Sequence, residues 1–235
     1  MVVPIALGLF IGIHNDPPSM KGKSTPAYRN LSSEEMFGGS TKYLLSRIRD
    51  KNSEQATFVL HTDRLIRLVM EVALASVDKI EVPIETPTGG MALGYEYSKP
   101  IAGVAVLRSG DAFLTGFNQI LPGAKMGKLL MVKHDTTSAV QVIYSKMPKN
   151  LSSSHIFLMD PMMATGETIT KGIKVLMDDH DVKEDQITIL TLISCPDAIK
   201  HVFNKYPNVK LITATIDEGL DEQGWINPGL GVFGE

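Results

Sequence analysis

Four short runs constrain what this chain can become: residues 101–107 (IAGVAVL), 155–159 (HIFLM), 186–194 (QITILTLIS) and 210–216 (KLITATI). Each is short, dominated by apolar and β-branched residues, and followed within a few residues by a segment of helical period. Runs of this kind suit strands buried on both faces. Strands alternating with helices predict an α/β fold with a mostly parallel sheet flanked by helices. In such a fold, ligands bind beyond the carboxyl ends of the strands.

The rest of the chain fits that frame. A helix is expected from Thr41, with Leu44, Leu45 and Ile48 on one face, and a second carries Leu65, Leu68, Val69 and Val72 at helical spacing. Residues 85–90 (ETPTGG) read as a loop, and helices are expected at 112–120, 168–179 and 198–205. Residues 128–132 read as a further strand, and the alternating 140–146 as one arm of a hairpin. The organisation expected is an irregular leader over 1–40, rich in Pro, Ser, Gly and Lys in its second half, and a single domain over 41–235.

Composition excludes several classes. With 43% hydrophobic and 21% charged residues, the chain has enough apolar matter for a core and is not a disordered polyelectrolyte. A net charge of −3 supplies no overall basic footprint for nucleic acid. The single cysteine, Cys195, excludes an internal disulfide framework and a multi-cysteine zinc site, and reads as a small packed hydrophobe. No apolar run reaches the roughly 18 residues of a membrane span. The apolar run 2–13 lacks the preceding positive charges and the following cleavage pattern of a secretory signal, and reads instead as an arm packing on the domain or on a partner chain. The expectation is a soluble, cytoplasmic protein that binds neither membrane nor nucleic acid.

The most informative segment is 155–176, HIFLMDPMMATGETITKGIKVL. An apolar strand ends in Asp160, a loop of small residues follows, and a helix begins near Thr168. Backbone N–H groups and the dipole at a helix start form an anion site. Ala164 and Gly166 let a phosphate approach the backbone, Thr165 and Thr168 offer hydroxyls, and Asp160 is placed to hold ribose hydroxyls or a magnesium ion. The loop is neither a Walker A motif nor GxGxxG. An ordinary strand–loop–helix connection capped by threonine has the same pattern.

The segment Asp160-Pro161-Met162-Met163-Ala164-Thr165-Gly166 resembles the phosphoribosyl-diphosphate (PRPP) loop of the uracil phosphoribosyltransferases, type I phosphoribosyltransferases whose loop has one acid followed by proline. Three further segments agree in order: Lys51-Asn52 with 63–68 (DRLIRL), Leu107-Arg108-Ser109-Gly110, similar to a Leu-Arg-Ala-Gly turn, and 224–231 (GWINPGLG), similar to the uracil loop. The resemblance implies the type I fold with a small hairpin or C-terminal hood. It implies a reaction of uracil with PRPP, giving UMP and diphosphate in pyrimidine salvage, with magnesium as cofactor. It further implies a homodimer or homotetramer, and GTP as an effector in some members.

Carried over residue by residue, the resemblance assigns PRPP to Arg108, Lys133, Asp160, Pro161, Met162, Met163, Ala164, Thr165, Gly166, Glu167 and Thr168. Uracil falls to Ile226, Gly231, Val232 and Phe233, largely through backbone groups. No side chain is singled out as catalytic, and magnesium is expected mainly through PRPP. Lys133 stands where the family has arginine, which keeps the charge and loses the fork of donors. Its neighbour His134 reads as a solvated loop residue rather than a proton shuttle. Val232 replaces an aspartate, and Glu235 stands near a second acid of the family, which continues beyond it. These departures keep a second reading open, a non-catalytic PRPP- or nucleotide-binding protein of the same fold. A purine phosphoribosyltransferase is disfavoured by Asp160-Pro161 and the C-terminal turn.

Overall fold

The computed structural model describes residues 28–31, 38–133 and 140–233. The apolar run 2–13, His134 and Glu235 lie outside the described residues. In chain order the elements are β1 (Tyr28–Asn30), α1 (Gly38–Arg49), α2 (Gln55–Ala75), β2 (Lys79–Glu85), β3 (Met91–Tyr97), β4 (Ile101–Leu107), α3 (Ala112–Ile120), β5 (Lys125–Lys133) and β6 (Val140–Lys146). There follow β7 (His155–Met159), β8 (Met162–Met163), α4 (Glu167–His180), β9 (Ile187–Ser194), α5 (Pro196–Lys205), β10 (Lys210–Ile216), β11 (Gly219–Leu220) and β12 (Ile226–Asn227).

The main sheet has the order β1-β10-β9-β7-β4-β5-β6, with β8 beside β9. Its pairs are parallel except β5 with β6, which is antiparallel as the alternating pattern predicts. The expected α/β class is therefore the observed one. Tyr28–Asn30, within the stretch read as an irregular leader, adds an edge strand beside β10. Three residues are too few for a period to be read from sequence.

Chain direction reverses between β4 and β7. From β4 the chain crosses to β5 through α3; from β7 it crosses the other way, through α4 to β9 and through α5 to β10. Crossovers of one hand in opposite directions put helices on opposite faces. Accordingly α2 packs on β9, β10, α1 and α3, while α4 packs on β5, β6, β7 and α5. Every residue of β9 is buried, as are all five of β7. Leu65, Ile66, Val69 and Met70 of α2 are buried in the core. Each contributes roughly 1.5–3 kcal/mol on burial, so the apolar faces, not surface ion pairs, hold the layers together.

β2 and β3 form a separate two-stranded hairpin, paired from Lys79 with Tyr97 to Glu85 with Met91, around the 86–90 turn. The sequence reading has only the loop there. Both faces of this hairpin are largely exposed, Ile80, Ile84, Met91, Leu93 and Tyr95 included.

Candidate functional site

The reversal between β4 and β7 leaves a crevice at the carboxyl edge of the sheet, where open α/β sheets take their ligands. Two segments border it: the turn after β4, and the loop after β7. A third, the C-terminal turn, follows β10 at the same edge.

After β7 comes Asp160, which is buried. Its carboxylate accepts a hydrogen bond from the Ser109 hydroxyl at 2.9 Å, so the two crevice loops touch through this pair. Burial pushes the Asp160 carboxyl up to about 7; the Ser109 hydroxyl and the Met162 N–H favour its ionised form and act the other way. The loop then turns back onto β9. The Pro161 carbonyl accepts from the N–H groups of Leu192 (2.9 Å) and Ile193 (3.1 Å), and Met162–Met163 pairs with Ile193–Ser194 as β8. Met163 is sealed in the core and Met162 is half-buried. Only backbone groups of Met163 can therefore face a ligand.

Ala164 and Thr165 are half-buried, and Gly166 precedes α4 with φ +77°. A side chain there would be strained, and its Cβ would lie 3.0 Å from the Ala198 carbonyl oxygen. The glycine turns the chain into α4 without a capping side chain. The Thr165 hydroxyl accepts weakly from Glu167 N–H at 3.4 Å, and the Thr170 hydroxyl donates to the Gly166 carbonyl at 2.7 Å. Glu167 and Thr168 form the first turn of the helix, both half-buried. The expected helix start moves one residue toward the amino end.

After β4, Leu107 and Arg108 are joined by a cis peptide bond, and Ser109–Asp111 make one turn of 3-10 helix. Arg108 is exposed at this turn. Lys133 ends β5, its backbone paired with Val140, and its side chain is outside the described set.

At the C-terminal turn, Ile226 is buried and pairs with Leu220 in the β11–β12 ribbon. Asn227 and Pro228 are joined by a cis bond. Gly231 and Val232 are exposed, and Phe233 is half-buried with its ring 5.7 Å from that of Phe58. This turn is tied to the Asp160 loop through the strand ends between them. The Asp217 N–H donates to the Ser194 carbonyl at 2.8 Å, and the Cys195 thiol, buried as expected, meets the Ala164 carbonyl at 3.1 Å.

Sequence reasoning missed two residues here. Arg49, the last residue of α1, grips buried Asp217 with both terminal nitrogens, at 2.6 and 2.8 Å. The only signal was position: a basic residue at a helix end, and an acid just after a buried strand.

Comparisons with known proteins identify a family and a solved structure of similar fold. A family model described as uracil phosphoribosyltransferase matches residues 39–235. The uracil phosphoribosyltransferase of Dictyostelium discoideum is 36% identical over 193 residues, 82% of this chain and 89% of that protein. Uridine kinase-like protein 5 of Arabidopsis thaliana is 39% identical over 188 residues, 80% of this chain but 40% of that protein, so the chain spans less than half of that relative. The solved structure of AQ2163 protein from Aquifex aeolicus has a TM-score of 0.76 at 25% identity, covering 88% of this chain and 95% of that one.

Proposed function

This chain belongs to the uracil phosphoribosyltransferase family, and from that premise we propose how its residues carry out the reaction. It is a transferase of pyrimidine salvage that moves the phosphoribosyl group of PRPP to uracil. The bond from the anomeric carbon to the diphosphate breaks, a bond from that carbon to N1 of uracil forms, and the N1 proton leaves. Negative charge gathers on the diphosphate while the sugar becomes oxocarbenium-like. The work required of the protein is charge stabilisation and alignment.

The observation that carries the assignment of roles is the contact of Ser109 with Asp160, which brings the β4 turn and the β7 loop together at the crevice. In this reading residues 160–168 hold the ribose and its 5′-phosphate. The carboxylate of Asp160 receives ribose hydroxyls, and N–H groups at the start of α4 receive phosphate oxygens. Arg108 and Lys133 take the diphosphate, Arg108 with a fork suited to it. Ile226, Gly231, Val232 and Phe233 present the backbone edge that reads uracil.

Magnesium fits this site as an ion carried by substrate. Among the described residues no group of three or more His, Cys, Asp or Glu is placed to hold a metal. Asp160 and, at the start of α4, Glu167 are carboxylates beside the loop, few enough to suit an ion that keeps waters and substrate oxygens. The ion would add positive charge opposite the departing diphosphate. The exposed apolar hairpin β2–β3 supports a homodimer or homotetramer, since a second copy would cover it. GTP as an effector rests on the family resemblance alone, with no residue assigned to it. A cytoplasmic location is supported by the single, unpaired cysteine.

The family match favours the enzyme over a non-catalytic binding protein. The decisive experiment is UMP formation from uracil, PRPP and magnesium. Hypoxanthine and adenine should give no product. Cytosine should be rejected by on the order of 10⁴-fold, because its amino group faces a donor meant for the 4-carbonyl. Folded protein that binds PRPP by calorimetry but yields no UMP would establish the non-catalytic reading instead.

A further inference from the structure

We infer that Arg49 and Asp217 are positioning residues for the nucleobase, clamping the backbone of Gly229 so that the C-terminal turn is held in fixed register with the Asp160 loop. The inference rests on the assignment of that turn to uracil.

Asp217 directly follows β10 and is 7% exposed. Both of its carboxylate oxygens are committed. Oδ1 accepts from Arg49 Nη2 at 2.6 Å; Oδ2 accepts from Arg49 Nη1 at 2.8 Å and from the Gly229 N–H at 2.9 Å. Arg49 Nη1 also donates to the Gly229 carbonyl at 3.2 Å. The two backbone polar groups of one glycine are thus held by one arginine–carboxylate pair. Gly229 has φ +56°, and a Cβ on it would lie 2.1 Å from the Ile226 carbonyl oxygen. Only glycine lets the turn fold back this tightly on the strand that enters it.

The other side of the clamp reaches the substrate loop. Asp217 donates its N–H to the Ser194 carbonyl at 2.8 Å, and the Ser194 hydroxyl meets the Met163 carbonyl at 3.4 Å. Asp217 therefore holds β9 with its backbone and the C-terminal turn with its side chain. Stability alone is a poor reason for such a pair, because desolvating a carboxylate and a guanidinium offsets most of their attraction. Position is a better one. A base read by peptide groups has few side chains to correct its placement, and an error of about 1 Å in a reacting group costs on the order of a hundredfold in rate.

The test is steady-state UMP synthesis with each substrate varied in turn, alongside PRPP binding by calorimetry, for wild type, Asp217→Asn and Arg49→Lys. Asp217→Asn turns one oxygen into a donor facing the guanidinium. It should lower kcat/KM for uracil about a hundredfold while PRPP affinity stays within about twofold. Arg49→Lys keeps the charge and loses the fork, and should lower the uracil value about tenfold, again sparing PRPP. Arg49 is 21% exposed at a helix end, so this variant tests the idea even if Asp217→Asn fails to fold. Equal losses for the two substrates, or no loss for uracil, overturn the clamp. Wild-type protein that makes no UMP overturns the assignment of the turn itself, and is recognised before any variant is made.

Discussion

The strand β7 buries an ionisable side chain at each end and treats the two oppositely. His155 opens the strand at the amino edge of the sheet. Its Nε2 lies 2.9 Å from the Thr188 hydroxyl and its ring stands edge-on to Phe157. Burial pulls its titration down to about 4; Lys210 and Lys99 act in the same direction, against Asp78 and Asp185. The ring is neutral at pH 7 and sits in the core as a polar spacer. Asp160, just past the other end, is held near 7 by burial with Ser109 and Met162 opposing. Burial disfavours its charged form, and the two hydrogen bonds restore part of it. On the proposed reading, the amino edge of the sheet serves stability and the carboxyl edge serves a ligand.

The largest effect expected of this contrast is at Asp160. Asp160→Asn should lower kcat/KM for PRPP on the order of a hundredfold, the scale for losing a charged partner that strengthens toward the transition state. The same change should stabilise the fold. The folded carboxyl titrates near 7 and the unfolded one near 3.8. Between those values the folded protein binds more protons, so stability rises as pH falls through the window and is lowest above 7. The asparagine variant removes that cost and should be more stable than wild type at pH 8 by on the order of 2 kcal/mol, with the gap closing toward pH 4. Thermal unfolding across that range checks it. A variant that loses stability along with activity would make Asp160 a structural residue.

His155 contributes the opposite slope. Its unfolded value is 6.5 and its folded value about 4, so the unfolded chain takes up a proton first and stability falls as pH drops from 6.5 to 4. Over the full window the loss is up to about 3 kcal/mol. In wild type the two slopes oppose each other between about pH 4 and 6.5. Asp160→Asn should expose the His155 slope, and adding His155→Gln should flatten the curve again while UMP synthesis by the single His155→Gln variant stays at the wild-type rate. If the double variant keeps the slope, His155 is not its source.

What could be read from sequence follows the same division. The sheet strands were legible because burial on both faces writes a continuous apolar run, as in residues 155–159 and 187–194. The loop at Asp160 was legible because a carboxylate ending such a run has no packing reason to be there. The hairpin β2–β3 was missed although Ile80, Val82 and Ile84 alternate with polar neighbours, since Pro83 interrupts the pattern and neither face is buried. Arg49 and Asp217 were missed for a different reason. Their link joins residues 168 apart in sequence, and a contact at that distance leaves no local period to detect. Met163 could be read equally as a loop residue near the ligand or as packing, and its side chain completes the core.

The smallest effect expected is also the finest test of the contrast. Ser109 stands where the family's Leu-Arg-Ala-Gly turn has alanine, and its hydroxyl donates to Asp160 at 2.9 Å. That bond favours the ionised carboxylate, so Ser109→Ala should raise the Asp160 titration above about 7. If the ionised form is the one that receives ribose hydroxyls, the acidic limb of kcat/KM for PRPP moves toward higher pH. A hydrogen bond to a charged group is worth roughly 1.5 kcal/mol at the low end, about one pKa unit, so the rate should fall roughly sevenfold at pH 7 and approach wild type near pH 9. A uniform fall at every pH would mean that Ser109 only shapes the turn. An unmoved limb would mean that the ionisation of Asp160 does not set the pH dependence, and the two ends of β7 would then differ in stability alone.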